Sequence, residues 1–119
     1  MIFSEVMQEV ASRIDGCLGL VVMGMDGIPI EKLVLDPSAN FEMLSTECTA
    51  ILHNSRQAAE EVGAGALKEM IWMTDKLIVV AVAITDDYVF LCAMRQGGNY
   101  GKARFLVKRA SLRLEKEFA

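Results

Sequence analysis

The chain has 119 residues, 53% of them apolar, and 16 acids against 12 lysines and arginines give it a net charge of −4. That size makes one domain, able to bury roughly two thirds of its unfolded surface without staples, and the acidic balance excludes broad nucleic-acid binding. With a mean hydropathy of +0.33 the chain is apolar, yet no apolar run approaches the ~20 residues of a membrane span, so no membrane insertion is expected.

The first element is a helix over 2–14. Phe3, Val6, Met7, Val10 and Ile14 form its apolar stripe, and Asp15-Gly16 ends it. The acids of this segment and its lack of a basic flank exclude a secretory signal. Cys17 to Met25 then reads as a strand apolar on both faces. Asp26-Gly27 predicts a two-residue hairpin turn. The returning strand, 28–35, holds Pro29 and the charged pair Glu31-Lys32, so it belongs at a sheet edge. A loop over 36–40 leads into the longest helix, 41–62. Its residues Phe41, Leu44, Cys48, Ile51, Ser55, Ala58 and Val62 fall on an unbroken a/d heptad pattern, bulky at the start and small at the end.

Gly63-Ala64-Gly65 stops that helix, and three strands follow: 66–73, 77–84 and 88–94. The turns between them, Thr74-Asp75-Lys76 and Thr85-Asp86-Asp87, are too short to join anything but antiparallel neighbours. The segments 77–84 and 88–94 are apolar almost throughout, which means cover on both faces. A glycine-rich loop, 96–101, opens the last helix, 102–118. The three most apolar strands should be central and the two charged ones peripheral. Together with the hairpin and the meander, this permits the sheet order 2-1-5-4-3. Three helices on two faces then give one face to the long helix and the other to the two terminal ones, a three-layer α/β sandwich.

Few residues invite a catalytic reading. The loop Gly97-Gly98-Asn99-Tyr100-Gly101-Lys102 is one residue short of a phosphate-binding loop, and Ala103 stands where a hydroxyl is needed. His53 is the sole histidine, so no triad or zinc cluster can assemble around it; solvated surface is its reading, partner contact the alternative. The pairs Asp86-Asp87 and Glu60-Glu61 are adjacent in sequence and diverge into solvent. Cys17, Cys48 and Cys92 sit in apolar segments and read as core thiols of a reducing cytoplasm, with nothing near them in sequence to lower a thiol pKa. No cofactor or metal is expected. Eight methionines are core filler in the main, with exposed ones such as Met43 suited to an adaptable binding surface.

Gly16 and Gly19 at the first strand, Asp26-Gly27 at the hairpin, and Asn99-Tyr100-Gly101-Lys102-Ala103-Arg104 at the last helix carry a resemblance that extends over nearly the whole chain. The sequence resembles the roadblock domains, named for dynein light chains and shared by bacterial MglB-type regulators of small GTPases. The resemblance implies a profilin-like fold and homodimerisation through the long helix and the strand after it. Phe41, Leu44, Cys48, Ile51, Ser55, Ala58, Val62, Leu67, Glu69 and Ile71 are the expected dimer interface. It also implies a platform for a Ras-like GTPase, assigned to the off-seam residues Glu42, Met43, Thr46, Thr49, Ala50, His53, Arg56, Gln57 and Glu60. Their mix of arginine, methionine and small groups is closer to an interface than to a solvated helix. No residue is assigned as an arginine finger, so the expectation is a cytoplasmic, non-enzymatic module that regulates a GTPase, whether by activating it or otherwise. The alternatives are an adaptor or assembly subunit with no GTPase partner, and a small-ligand sensor.

Overall fold

The computed structural model describes residues 2–118. Five strands form one antiparallel sheet in the order β2-β1-β5-β4-β3, with β1 at Cys17–Gly24, β2 at Pro29–Val34, β3 at Glu69–Met73, β4 at Leu77–Ala83 and β5 at Tyr88–Arg95. Helices α1, Ile2–Ser12, and α3, Tyr100–Glu115, cover one face; α2, Phe41–Glu61, covers the other. This is the expected order and the expected distribution of helices.

The unbroken apolar runs are explained by cover on both faces. Leu20 and Val22 of β1, Ile78 and Val80 of β4, and Phe90, Cys92 and Met94 of β5 point toward α1 and α3. Their sequence neighbours Val21, Val79, Ala81, Leu91 and Ala93 point toward α2. A strand with period-two side chains between two apolar layers has no position left for a polar group. Gly19 lets α2 come close: a Cβ there would lie 2.8 Å from the Phe41 ring, which is itself buried in the core.

The β1–β2 hairpin departs from the expected two-residue turn. Gly27 N–H donates to the Gly24 carbonyl at 2.9 Å, and Gly24 N–H to Ile28 at 3.0 Å, so Met25, Asp26 and Gly27 form a three-residue loop. Gly27 takes the left-handed conformation (φ 88°). That is a turn closed by a glycine bulge, the next commonest hairpin connection. At the other edge β3 begins at Glu69 and not at 66, although the ladder reaches back one step, Ala83 N–H donating to the Lys68 carbonyl at 2.9 Å. Helix α3 begins two residues earlier than expected because Asn99 caps it: its side-chain oxygen accepts from Lys102 N–H at 3.0 Å. The helix terminus that a phosphate would need already has this side-chain partner.

Candidate partner-binding surface

Helix α2 is seated on its sheet asymmetrically. The flank toward β1 and β2 is tied by two polar contacts, Lys32 pairing with Glu42 and the His53 ring bonding the Met25 carbonyl, while the Arg56 guanidinium donates to the Asp86 carbonyl in the turn between β4 and β5. Thr49 lies beneath this flank, buried, its hydroxyl donating to the Ser45 carbonyl at 3.0 Å and 3.6 Å from the Met23 sulfur. The flank toward β3 is apolar. Leu44, Ile51 and Ser55 run along it half-covered, Ala58 and Val62 continue it exposed, and the Ser55 hydroxyl lies 4.0 Å from the Met70 sulfur.

Two corrections to the expected interface follow. Phe41 and Cys48 belong to the protomer's own core and are closed to a partner. The reason is geometric: a straight α-helix drifts about 20° per heptad from a 3.5-residue repeat. A heptad seam that starts at the buried Phe41 therefore walks off the core toward β3, and Val62 at its far end is 78% exposed. On β3, Glu69 and Ile71 face the α1/α3 layer. Ile71 packs against that core, and Glu69 pairs with Arg104 and, at 2.9 Å, with Lys108 of α3. The residues of β3 beneath the α2 layer are Met70 and Trp72, which join Leu67 and Leu44 around the α2-side core. Sequence reasoning passed over Met70 and Trp72 because alternation counted from Leu67 leads to Glu69 and Ile71, whereas the strand, and with it the alternation, begins only at Glu69.

Of the expected docking face, Met43, Thr46, Ala50, Gln57 and Glu60 are exposed along the outside of α2, and Met43 is 61% exposed. Glu42, His53 and Arg56 stand at its margin, engaged with the sheet. Thr49 does not belong to it. The outside of α2 is acidic: Glu42, Glu47, Glu60 and Glu61 against Arg56 alone, a net −3. Helix α3 carries Lys102, Arg104, Lys108, Arg109 and Arg113 against Glu115, a net +4.

Ion pairs bind α2 and α3 to the sheet and α1 to α3. Hydrogen bonds from Arg104 and Lys108 hold the Glu69 carboxyl below the usual range, and Arg113 does the same for Glu9. Asp36 is lowered first by Ser38, whose N–H and hydroxyl both bond it, and then by Arg95. Cys48, enclosed beneath α2, is pushed up to about 11 by burial. Cys17 and Cys92 are 75 positions apart in sequence, but the fold sets their sulfurs 4.0 Å apart. The Cys17 thiol is lowered by that contact, which its neighbours in sequence do not supply. Among the described residues no three His, Cys, Asp or Glu side chains gather as a metal site, and no helix is long and apolar enough to cross a membrane.

A five-stranded 2-1-5-4-3 sheet between one long helix and two terminal ones is the roadblock fold, here in its MglB-like form. Among solved structures the chain is similar to MglC from Myxococcus xanthus, at 28% identity with 98% of this chain and 99% of that one covered and a TM-score of 0.71. Myxococcus xanthus MglB superposes more closely, with a TM-score of 0.86 at 14% identity over 98% of this chain and 87% of that one. A Roadblock/LC7 domain from Streptomyces avermitilis gives 0.84 at 11% identity, covering 96% and 95%. No protein-family model and no curated protein matches the sequence.

Proposed function

We propose that the protein is a homodimeric, non-catalytic regulator that binds a small Ras-like GTPase on its α2 face. The observation that carries this reading is the apolar strip formed by the half-covered Leu44 and Ile51 and the exposed Ala58 and Val62 of α2 with Leu67, Met70 and Trp72 beside an open sheet edge. Strips of this kind on a single chain mark association surfaces.

The two open edges differ in what they can pair with. A twofold pairing centred on the middle of β2 sets Glu31 against Glu31 or Lys32 against Lys32, and Pro29 withholds a donor. The same operation centred on Ile71 of β3 sets Ile71 against its copy and Met70 against Trp72, with no like charges opposed. Joining β3 to β3 hides that edge, continues the sheet through the axis, and lays the two α2 helices side by side. The dimer interface so proposed is Leu44, Ile51, Ser55, Ala58, Val62 and Leu67 with Met70, Ile71 and Trp72.

The paired helices then offer Met43, Thr46, Ala50 and Gln57 twice over, at the centre of one face. A GTPase straddling both copies would have its switch segments held in one arrangement, a shift of populations with no chemistry supplied by this chain. The likeness to MglB and MglC structures supports this reading through their fold.

The test is binding of a Ras-like GTPase from the same genome, loaded in turn with GDP and a non-hydrolysable GTP analogue. Met43→Glu with Ala50→Asp should abolish binding while leaving the dimer and its Tm unchanged, since both side chains point to solvent. Unchanged binding in that variant moves the docking face elsewhere, first to the basic outside of α3. An intact dimer that binds neither nucleotide form makes the protein an assembly subunit.

A further inference from the structure

Cys17 opens β1 and Cys92 lies in the middle of β5, its neighbour in the sheet. A bulge between Cys17 and Gly19 turns Leu18 and Gly19 both toward α2. Cys17 and Leu20 are thereby left on the α1/α3 face, where Cys17 stands diagonal to Cys92 with 4.0 Å between the sulfurs. The two differ in access: Cys17 is half-buried and Cys92 has no exposed surface. They also differ in acidity. The hydrogen bond between them lowers the Cys17 thiol and raises that of Cys92, so the sulfur that ionises first is the one oxidants can reach. Cys48, alone on the opposite face, has neither property.

We propose that Cys17 and Cys92 form a peroxide-responsive pair that closes reversibly to a disulfide across β1 and β5. The Cys17 thiolate attacks the O–O bond of hydrogen peroxide, takes one oxygen as a sulfenic acid, and releases the other as water after protonation. The Cys92 sulfur then attacks the Cys17 sulfur. The S–S bond forms, the S–O bond breaks, and the departing hydroxide leaves as water with the Cys92 proton. Two thiols are oxidised by two electrons, one peroxide is reduced, and two waters result.

The sulfurs must close from 4.0 Å to about 2 Å. Diagonal cross-strand positions are roughly 7–8 Å apart, beyond the ~7 Å that a disulfide spans without backbone movement. The bulge at Cys17 has already interrupted the ladder there, so the strand start can shift toward β5. A bridge formed under such constraint is one that a dithiol reductant opens again.

The experiment treats the full chain with a few equivalents of hydrogen peroxide and follows intact mass and peptide maps. The expected result is loss of two hydrogens, a single cross-linked peptide pair containing Cys17 and Cys92, and full reversal by dithiothreitol. Cys48→Ala should leave all of this unchanged. Cys92→Ala should stop at Cys17 sulfenic acid, captured by dimedone as an adduct on that residue alone. Oxygen accumulating on Cys17 of the wild type while Cys92 stays free overturns the proposal, as does preferential oxidation of Cys48 or an unchanged mass.

Discussion

The two helical layers rest on the same sheet and are finished to different degrees. In the α1/α3 layer, six of the sixteen α3 residues are buried, and two helices side by side span the face from β2 to β3. In the α2 layer one helix must cover the same width, and of its twenty-one residues only Phe41, Cys48, Thr49 and Leu52 are buried. Polar bonds hold one flank of α2, and the other ends in half-covered apolar groups next to an open edge. One helix is about 10 Å wide with its side chains, against five strands spaced about 4.8 Å apart. The shortfall is therefore built into the architecture: it leaves Ile30 and Val34 exposed on the β2 side and Met70 and Trp72 half-covered on the β3 side, where the proposed partner would complete the layer.

The largest expected effect separates the layers by their packing. Leu114→Ala removes a side chain with no exposed surface from the finished layer and should cost about 2–5 kcal/mol in denaturant unfolding. Ile51→Ala, on the half-covered flank, should cost about 1 kcal/mol, both measured with Trp72→Glu present so that assembly does not enter. Equal costs would mean that α2 is seated as firmly as α3, and the comparison would fail.

A smaller effect sharpens the electrostatic side. The folded carboxyl of Glu69 is held below its usual range by Arg104 and Lys108. Its contribution is therefore fully present above the unfolded pKa and is lost as pH falls through the carboxylate range toward the folded value. Glu69→Gln should flatten the decline of stability below about pH 5, by less than about 1 kcal/mol because the pair is partly in water. An identical slope in the variant would show that the bridge between β3 and α3 contributes nothing.

Most of the architecture was legible because the signals were local and redundant. Pro29 and Glu31-Lys32 marked one edge, Lys68 and Glu69 marked the other, and the runs 77–84 and 88–94 had to be central. The proposed interface was legible only in part. A heptad count places Phe41 and Val62 on one line, whereas the straight helix separates them, so the core end and the surface end of the seam looked alike in sequence. Leu67, Glu69 and Ile71 were chosen at alternate positions, but Met70 and Trp72 share the face with α2 once the ladder begins at Glu69. The short range of sequence pattern also hid the contact between Cys17 and Cys92, which exists only because β5 returns beside β1.

The central claim is that the unfinished α2 layer is completed by a second copy through β3. Sedimentation equilibrium at tens of micromolar tests it most directly, on the wild type and on Trp72→Glu in parallel. The account predicts about twice the 13.1 kDa chain mass for the wild type and a monomer of unchanged secondary structure for the variant. A wild type that remains monomeric across that range, or a variant that dimerises as well as the wild type, would contradict it.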